Sequence, residues 1–410
     1  MAPTDIRRTV GAVGITLGAI ALGVICWMSG VDRATAQSTH PGVSFFGGEA
    51  AAKGAFSALV QGDPQTALVD AKRAVRAAPV DPSTTSALGS ALLALGRDDE
   101  AHAAFTVAGT LGWRDVPTQF YWLAQAGAVG DVGVVAQRLD ALLRLNITNE
   151  AVANALYGLG QTSLGQQALA MLLVKNPPWE ARFVAEISDL EEADFAGRMT
   201  AIDLAATQGA TFDCETVGIV AGRLVRSGNA PAGKNLWQIT CDRTGGGLLS
   251  DGDFEGDPSI ASSSPFTWQM RSEGGLDAAV QPAPAPLSGH ALRIQSSKTA
   301  RIDAASQLTT LGPGRYRLSW IAADEGGGPG SSVTVSVRCE GAGELTDTYV
   351  RASAVEGNRV ATTFTVPSEG CPVQTIAIQK AASGLGETQT GWIDEITLSP
   401  ISAQIAAQRS

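Results

Sequence analysis

The sequence predicts a multidomain chain: an N-terminal transmembrane helix, an all-α helical repeat array, then an all-β sandwich. Three observations predict it. An uncharged, apolar run extends from Thr9 to Val31. Glycines recur at a fixed interval through residues 48–242. After residue 247 the apolar period changes from helical to alternating. A chain of 410 residues also exceeds one ordinary core.

Composition narrows the function classes. With 44% hydrophobic and 17% charged residues, the chain suits packed domains and not a disordered one. A net charge of −11 argues against nucleic acid, because phosphate binding needs a basic surface. The three His (His40, His102, His290) are far apart, and no H-E-x-x-H, C-x-x-C or phosphate-binding glycine loop occurs. No catalytic residues emerge, and the expectation is that the protein is not an enzyme.

Residues 1–33 read as a cytoplasmic stub and membrane anchor. Arg7 and Arg8 precede the apolar run, and Asp32 and Arg33 close it. About 20 apolar residues span a bilayer as a helix, and the arginines should remain cytoplasmic. This places the protein in the cell inner membrane, single pass, with its bulk in the periplasm. A cleaved signal peptide is the alternative, since Ala34-Thr35-Ala36 forms an A-x-A site. The protein would then be secreted or periplasmic. The apolar run is longer than a usual signal core, which favours the anchor. Residues 34–47 read as a linker.

Residues 48–242 read as the repeat domain. Gly62, Gly96 and Gly130 are spaced by 34 residues, and Gly165 follows after 35. Five residues after the first three come Ala67, Ala101 and Val135; nine after, Ala71, Phe105 and Leu139; twelve after, Ala74, Ala108 and Leu142. Ala55 and Gly89 supply small residues on the preceding helices, and Pro79 ends the first unit. This pattern resembles the tetratricopeptide repeat. The match is good over 48–115, fair over 116–149 and poor over 150–183, where Asn176-Pro177-Pro178-Trp179 intervenes. A helical pair cannot bury its apolar face alone, so neighbouring pairs stack. The resemblance implies a concave groove for a protein partner. A further helix is expected over 190–209, and a last helical pair over 215–242 turning at Gly228-Asn229.

Cysteine positions suit two local disulfides in an oxidising compartment. The pairs are Cys214 with Cys241, which would clip the last helical pair, and Cys339 with Cys371. Four buried free thiols are the alternative.

Residues 243–247 read as a glycine-rich hinge, 248–400 as the β domain and 401–410 as a tail. Tyr316, Leu318, Trp320 and Ala322 alternate with Arg315, Arg317, Ser319 and Ile321, and Val333, Val335, Val337 and Cys339 alternate with Ser332, Thr334, Ser336 and Arg338. Val360, Thr362, Phe364 and Val366 share a face, as do Ile376 and Ile378. The last such face is Trp392, Asp394, Ile396 and Leu398. The domain opens Leu-Leu-Ser-Asp-Gly-Asp-Phe-Glu from Leu248, carries Ser288-Gly289-His290-Ala291-Leu292 and Gly314-Arg315-Tyr316, and closes Gly391-Trp392-Ile393-Asp394-Glu395-Ile396. In that order the motifs are similar to jelly-roll carbohydrate-binding modules of the family 4/9 type. Asp251 and Glu395 depart from the family's usual Asn and Asp, and stacking aromatics are not evident.

The resemblance implies glycan binding and a structural calcium, with Glu255 and Asp394 as ligands. The alternative for Asp394 is a backbone cap at the sheet rim. On the outward face of the strands, Arg315, Arg317 and Arg338 either form a solvated strand face or meet an anionic polysaccharide, and Tyr349 is the best exposed aromatic candidate. Together these features point to a membrane-anchored periplasmic adaptor or scaffold. Its repeats would hold a protein partner and its β domain a polysaccharide, in exopolysaccharide assembly or export. A pure protein scaffold is the alternative. A third reading is an accessory of a polysaccharide-processing enzyme.

Overall fold

The computed structural model describes residues 23–24, 27, 47–145, 150–242, 247–256, 263–285, 287–325, 332–339, 353–354 and 359–401. The anchor segment 9–31 lies outside them apart from Gly23, Val24 and Trp27, as does Tyr349. Among the described residues no helix is long and apolar enough to cross a membrane. Among the described residues twelve α-helices between residues 48 and 240 precede a two-sheet antiparallel sandwich. The chain divides into two compact units between Ala168 and Leu169, inside the helical half and not at residues 243–247.

The first unit contains α1 (Gly48–Val60), α2 (Pro64–Ala77), α3 (Pro82–Ala94), α4 (Asp98–Leu111), α5 (Val116–Val129), α6 (Val132–Arg144) and α7 (Glu150–Gly160). The expected turn glycines are left-handed: Gly62 at φ 78°, Gly96 at 70° and Gly130 at 74°. Each is followed by the same closing bond, from Asp63 N–H to Ala58 O, Arg97 to Leu92 O and Asp131 to Ala126 O. This is a Schellman end, which needs a residue free to adopt positive φ. Aspartates start the next helices: Asp63, Asp81, Asp115 and Asp131 accept backbone N–H bonds through their carboxylates.

All nine positions picked out by the 34-residue period are buried, from Ala67 to Leu142. Gly89 shows why small residues are needed. A methyl group there would sit 2.9 Å from the Phe105 ring of α4. Repeats are also joined by polar contacts: the buried Asp115 carboxylate accepts from Ser86 Oγ on α3 at 3.0 Å. Gly165 departs from the pattern, since it lies within α8 (Ser163–Leu173) and not in a turn. A methyl there would lie 2.1 Å from the Leu159 carbonyl oxygen, so glycine serves close approach at this position.

The second unit continues with α9 (Glu180–Ala185), a 3₁₀ turn (Glu186–Asp189), α10 (Glu192–Thr207), α11 (Cys214–Arg226) and α12 (Ala230–Thr240). Cys214 and Cys241 are bonded and close the α11–α12 hairpin, whose turn glycine, Gly228, has φ 87°. The hairpin packs on the sandwich. Gly218 leaves room for Ser263, whose backbone would lie 2.7 Å from an added methyl. Ser263 Oγ donates to the Cys214 carbonyl at 3.2 Å. Buried Lys234 donates from Nζ to Thr309 Oγ1 at 2.8 Å and to the Leu248 carbonyl at 3.3 Å.

The sandwich strands are β1 (Gln269–Met270), β2 (Ser272–Glu273), β3 (Leu276–Pro282), β4 (His290–Ser296), β5 (Ile302–Thr309), β6 (Gly314–Asp324), β7 (Val333–Cys339), β8 (Ser353–Ala354), β9 (Arg359–Val366), β10 (Gln374–Lys380) and β11 (Gln389–Pro400). One sheet has the order β1-β5-β10-β7, the other β2-β3-β4-β11-β6-β9-β8. Trp268, Leu292, Ile294, Tyr316, Leu318, Trp320, Phe364, Ile376 and Ile378 fill the core between them. The opening stretch is pinned to the sandwich: Ser250 bonds the Gln307 amide through both its N–H and its C=O. Trp268 Nε1 donates to the Asp251 carbonyl at 2.9 Å. The Cys339–Cys371 bond ties the end of β7 to the loop before β10.

Candidate functional site

Strands expose one residue in two, so each sheet offers an outer face. On the four-stranded sheet that face is polar. Arg338 of β7 donates from Nη2 to Asp303 Oδ2 of β5 at 2.8 Å. Gln379 of β10 donates from Nε2 to Asp303 Oδ1 at 2.9 Å. Both carboxylate oxygens of Asp303 are thereby used, and three strands are linked. Around this network the register places Gln269, Ser306, Thr334 and Ser336. Thr375 and Ala377 point away from the core yet are buried, so the middle of the face is recessed. The Ser336 hydroxyl is buried there, with no hydrogen-bond partner among the described residues.

The expected arginine cluster is divided. Arg338 lies on the four-stranded sheet, whereas Arg315 and Arg317 lie on β6 of the seven-stranded sheet. Consecutive strands often pair, but β6 and β7 cross between sheets. Arg315 and Arg317 are exposed on the outer face of their own sheet.

Trp392 also departs from expectation. Ile393 belongs to the main core, while Trp392 packs on the opposite side with Leu287, Ala291, Ile321 and Ala323. The cause is a bulge in β11: the register shifts between Asp394 and Thr397, and Glu395 takes φ 49°. Residues before the bulge therefore face the other way from Ile396, which is in the core.

Asp394 is buried beneath that bulge. Its Oδ1 accepts the Glu395 N–H at 2.6 Å. Burial, with the nearby charges of Glu395, Asp253 and Glu255, pushes its carboxyl up to about 6. Glu255 is exposed and already engaged: it accepts the His290 N–H at 2.5 Å and meets the ring Nδ1 at 2.8 Å. Those bonds hold its carboxyl below the usual range. Among the described residues no group of three or more His, Cys, Asp or Glu side chains is placed to hold a metal ion. Calcium takes six to eight oxygens, so a site at Glu255 and Asp394 would need further donors such as backbone carbonyls.

No family model matches the chain, and no curated protein matches it. Solved structures that it resembles include three carbohydrate-binding modules and the enzymatically active domain of a bacteriophage CBA120 tailspike protein. A family 4 module is 20% identical, with 34% of this chain and 97% of that chain covered and a TM-score of 0.23. A family 16 module is 19% identical, covering 37% and 99%, with a TM-score of 0.25. A family 61 module, solved in complex with β-1,4-galactotriose, is 15% identical, covering 38% and 99%, with a TM-score of 0.21.

Asp303 and Gln379 escaped the sequence reading. Alternation in β10 does place Thr375, Ala377 and Gln379 opposite Ile376 and Ile378, and that signal could have found Gln379. Asp303 has no comparable signal. A shift in the β5–β10 register at Ile378 and Gln379 sets its side chain beneath Arg338.

Proposed function

We propose that the protein is a non-catalytic glycan-binding adaptor. In this reading the N-terminal segment anchors it to the inner membrane, the bulk lies in the periplasm, and the helical repeats hold a protein partner. The β-sandwich holds a polysaccharide, in exopolysaccharide assembly or export. One observation carries the glycan part: the Asp303–Arg338–Gln379 network on a rigid, recessed sheet face. Sugars offer hydroxyls that both donate and accept, and planar side chains locked by one another meet them without further ordering. The network is internally neutralised, which suits an uncharged glycan.

The full-length protein titrated with neutral polysaccharides tests this. Saturable binding by the wild type, weakened in Gln379→Ala, is the expected result. Absence of binding to every neutral polymer would leave the protein-scaffold reading. That second reading is favoured by the core positions of Trp268, Tyr316, Trp320 and Phe364, which leave no described aromatic on the recessed face. Calcium at the β11 seam is a separate part of the proposal. It is supported by the crowd of carboxylates around Asp394 and requires Glu255 to release His290. A melting temperature indifferent to chelator would remove it.

A further inference from the structure

We infer that the outer face of the seven-stranded sheet carries a second site, one that takes a carboxylate-bearing polysaccharide. It rests on the reading that the sandwich meets glycans, but uses none of the residues of the first face.

Arg315 and Arg317 alternate along β6, so both side chains leave the same face about 6.5–7 Å apart. β6 lies inside the sheet between β11 and β9, with backbone ladders on both sides. The register sets Thr365 beside Arg315, and Thr363 and Ser399 on either side of Arg317. All five side chains are exposed. Beyond them Ser319 and Thr397 share a 2.7 Å hydrogen bond. The Arg315 backbone is fixed in turn, its carbonyl accepting the Ile401 N–H at 2.8 Å.

Four other sandwich arginines are committed. Arg293 meets Asp277, Arg338 meets Asp303, Arg359 meets Glu395, and Arg301 donates to Thr334. Among the described residues Arg315 and Arg317 have no carboxylate partner, although the chain carries a net charge of −11. Two like charges held side by side on a rigid strand repel. An external anion relieves that repulsion, and a guanidinium fork fits a carboxylate with two parallel hydrogen bonds. The flanking hydroxyls suit sugar hydroxyls. The five side chains of the strip are polar, and the apolar Ile321 and Trp392 begin only beyond Ser319 on the same face, so the arginines themselves give a peptide or a membrane no apolar anchor.

The test uses the full-length protein and four probes at low salt: polygalacturonate, its fully methyl-esterified form, galacturonate monomer and poly-glutamate. Polygalacturonate should bind, and Arg315→Gln with Arg317→Gln should weaken it at least about tenfold, the loss of one charge-assisted bond. The esterified polymer should be indifferent to the double substitution, and monomer should bind far more weakly than polymer. An unchanged melting temperature shows that the variant folds. The inference fails if the double variant binds polygalacturonate like the wild type, or if the wild type does not bind it. Equal capture of poly-glutamate through the same arginines would show a general polyanion strip and overturn the polysaccharide assignment. Neutral-glycan binding lost in Gln379→Ala but kept in the arginine double variant reads the first face separately.

Discussion

Arg338 and Arg317 are the same residue type on outer faces of the same sandwich, yet they present different chemistry. Arg338 is half-buried and bonded to Asp303, which also holds Gln379. Arg317 is exposed between two hydroxyl-bearing strands without a carboxylate among the described residues. What an arginine offers a ligand is set by whether its own fold has already answered its charge. The paired face is polar and neutral; the unpaired face keeps two guanidinium charges that no described carboxylate answers.

Breaking the Cys339–Cys371 bond should abolish the contrast altogether. The bond closes a sequence separation of 32 residues. Cys371→Ser should destabilise the sandwich by about 3–4 kcal/mol, seen as a lower melting temperature with both faces lost together. Loss of one face alone would show that the sheets fold independently.

Asp303→Ala should convert the first face toward the second. It leaves Arg338 and Gln379 without their acceptor, at about 1–3 kcal/mol. Neutral-glycan binding should fall while polygalacturonate binding rises, as titration of both probes would show. A fall in both would mean that Asp303 contributes only to folding.

Salt should separate the faces without mutation. Raising ionic strength from about 0.01 M to 1 M shortens the screening length from about 30 Å to 3 Å. Polygalacturonate binding should weaken several-fold, and neutral binding should hold.

The smallest effect is expected at Lys234, away from both faces. Burial lowers its ammonium from 10.5 to about 8. Between pH 8 and 10.5 the unfolded chain therefore holds a proton that the folded chain lacks, and this group's burden on stability fades as pH rises through that window. Lys234→Met keeps the volume and removes the charge, so near pH 7 its melting temperature should match or slightly exceed the wild type. The difference should shrink toward pH 10. Lys234→Ala leaves a gap and should melt lower at every pH.

Much of the helical half was legible because a stacked repeat constrains its sequence at every turn. Gly62, Gly96 and Gly130 are read from spacing alone, and Ala67, Phe105 and Leu142 follow from their offsets. Gly165 was misplaced because a glycine required for close approach looks the same as one required for a left-handed turn. The strands were legible from alternation until the pattern met a bulge. Glu395 in β11 shifts the period by one, which moved Trp392 off the core face. Sheet membership was not legible: alternation tells which side of a strand is polar, not which sheet the strand joins. Arg317 and Arg338 were therefore read as neighbours, and the Asp303 network, built by pairing β5 and β7 to β10, was not read at all.

The most direct test of the central claim is calorimetric titration of the full-length protein with one neutral and one carboxylated polysaccharide, each alone and then in the presence of the other. Two independent faces predict saturable binding of both, with neither displacing the other. No heat with either polymer from a folded protein would contradict glycan binding, and mutual displacement would contradict two faces.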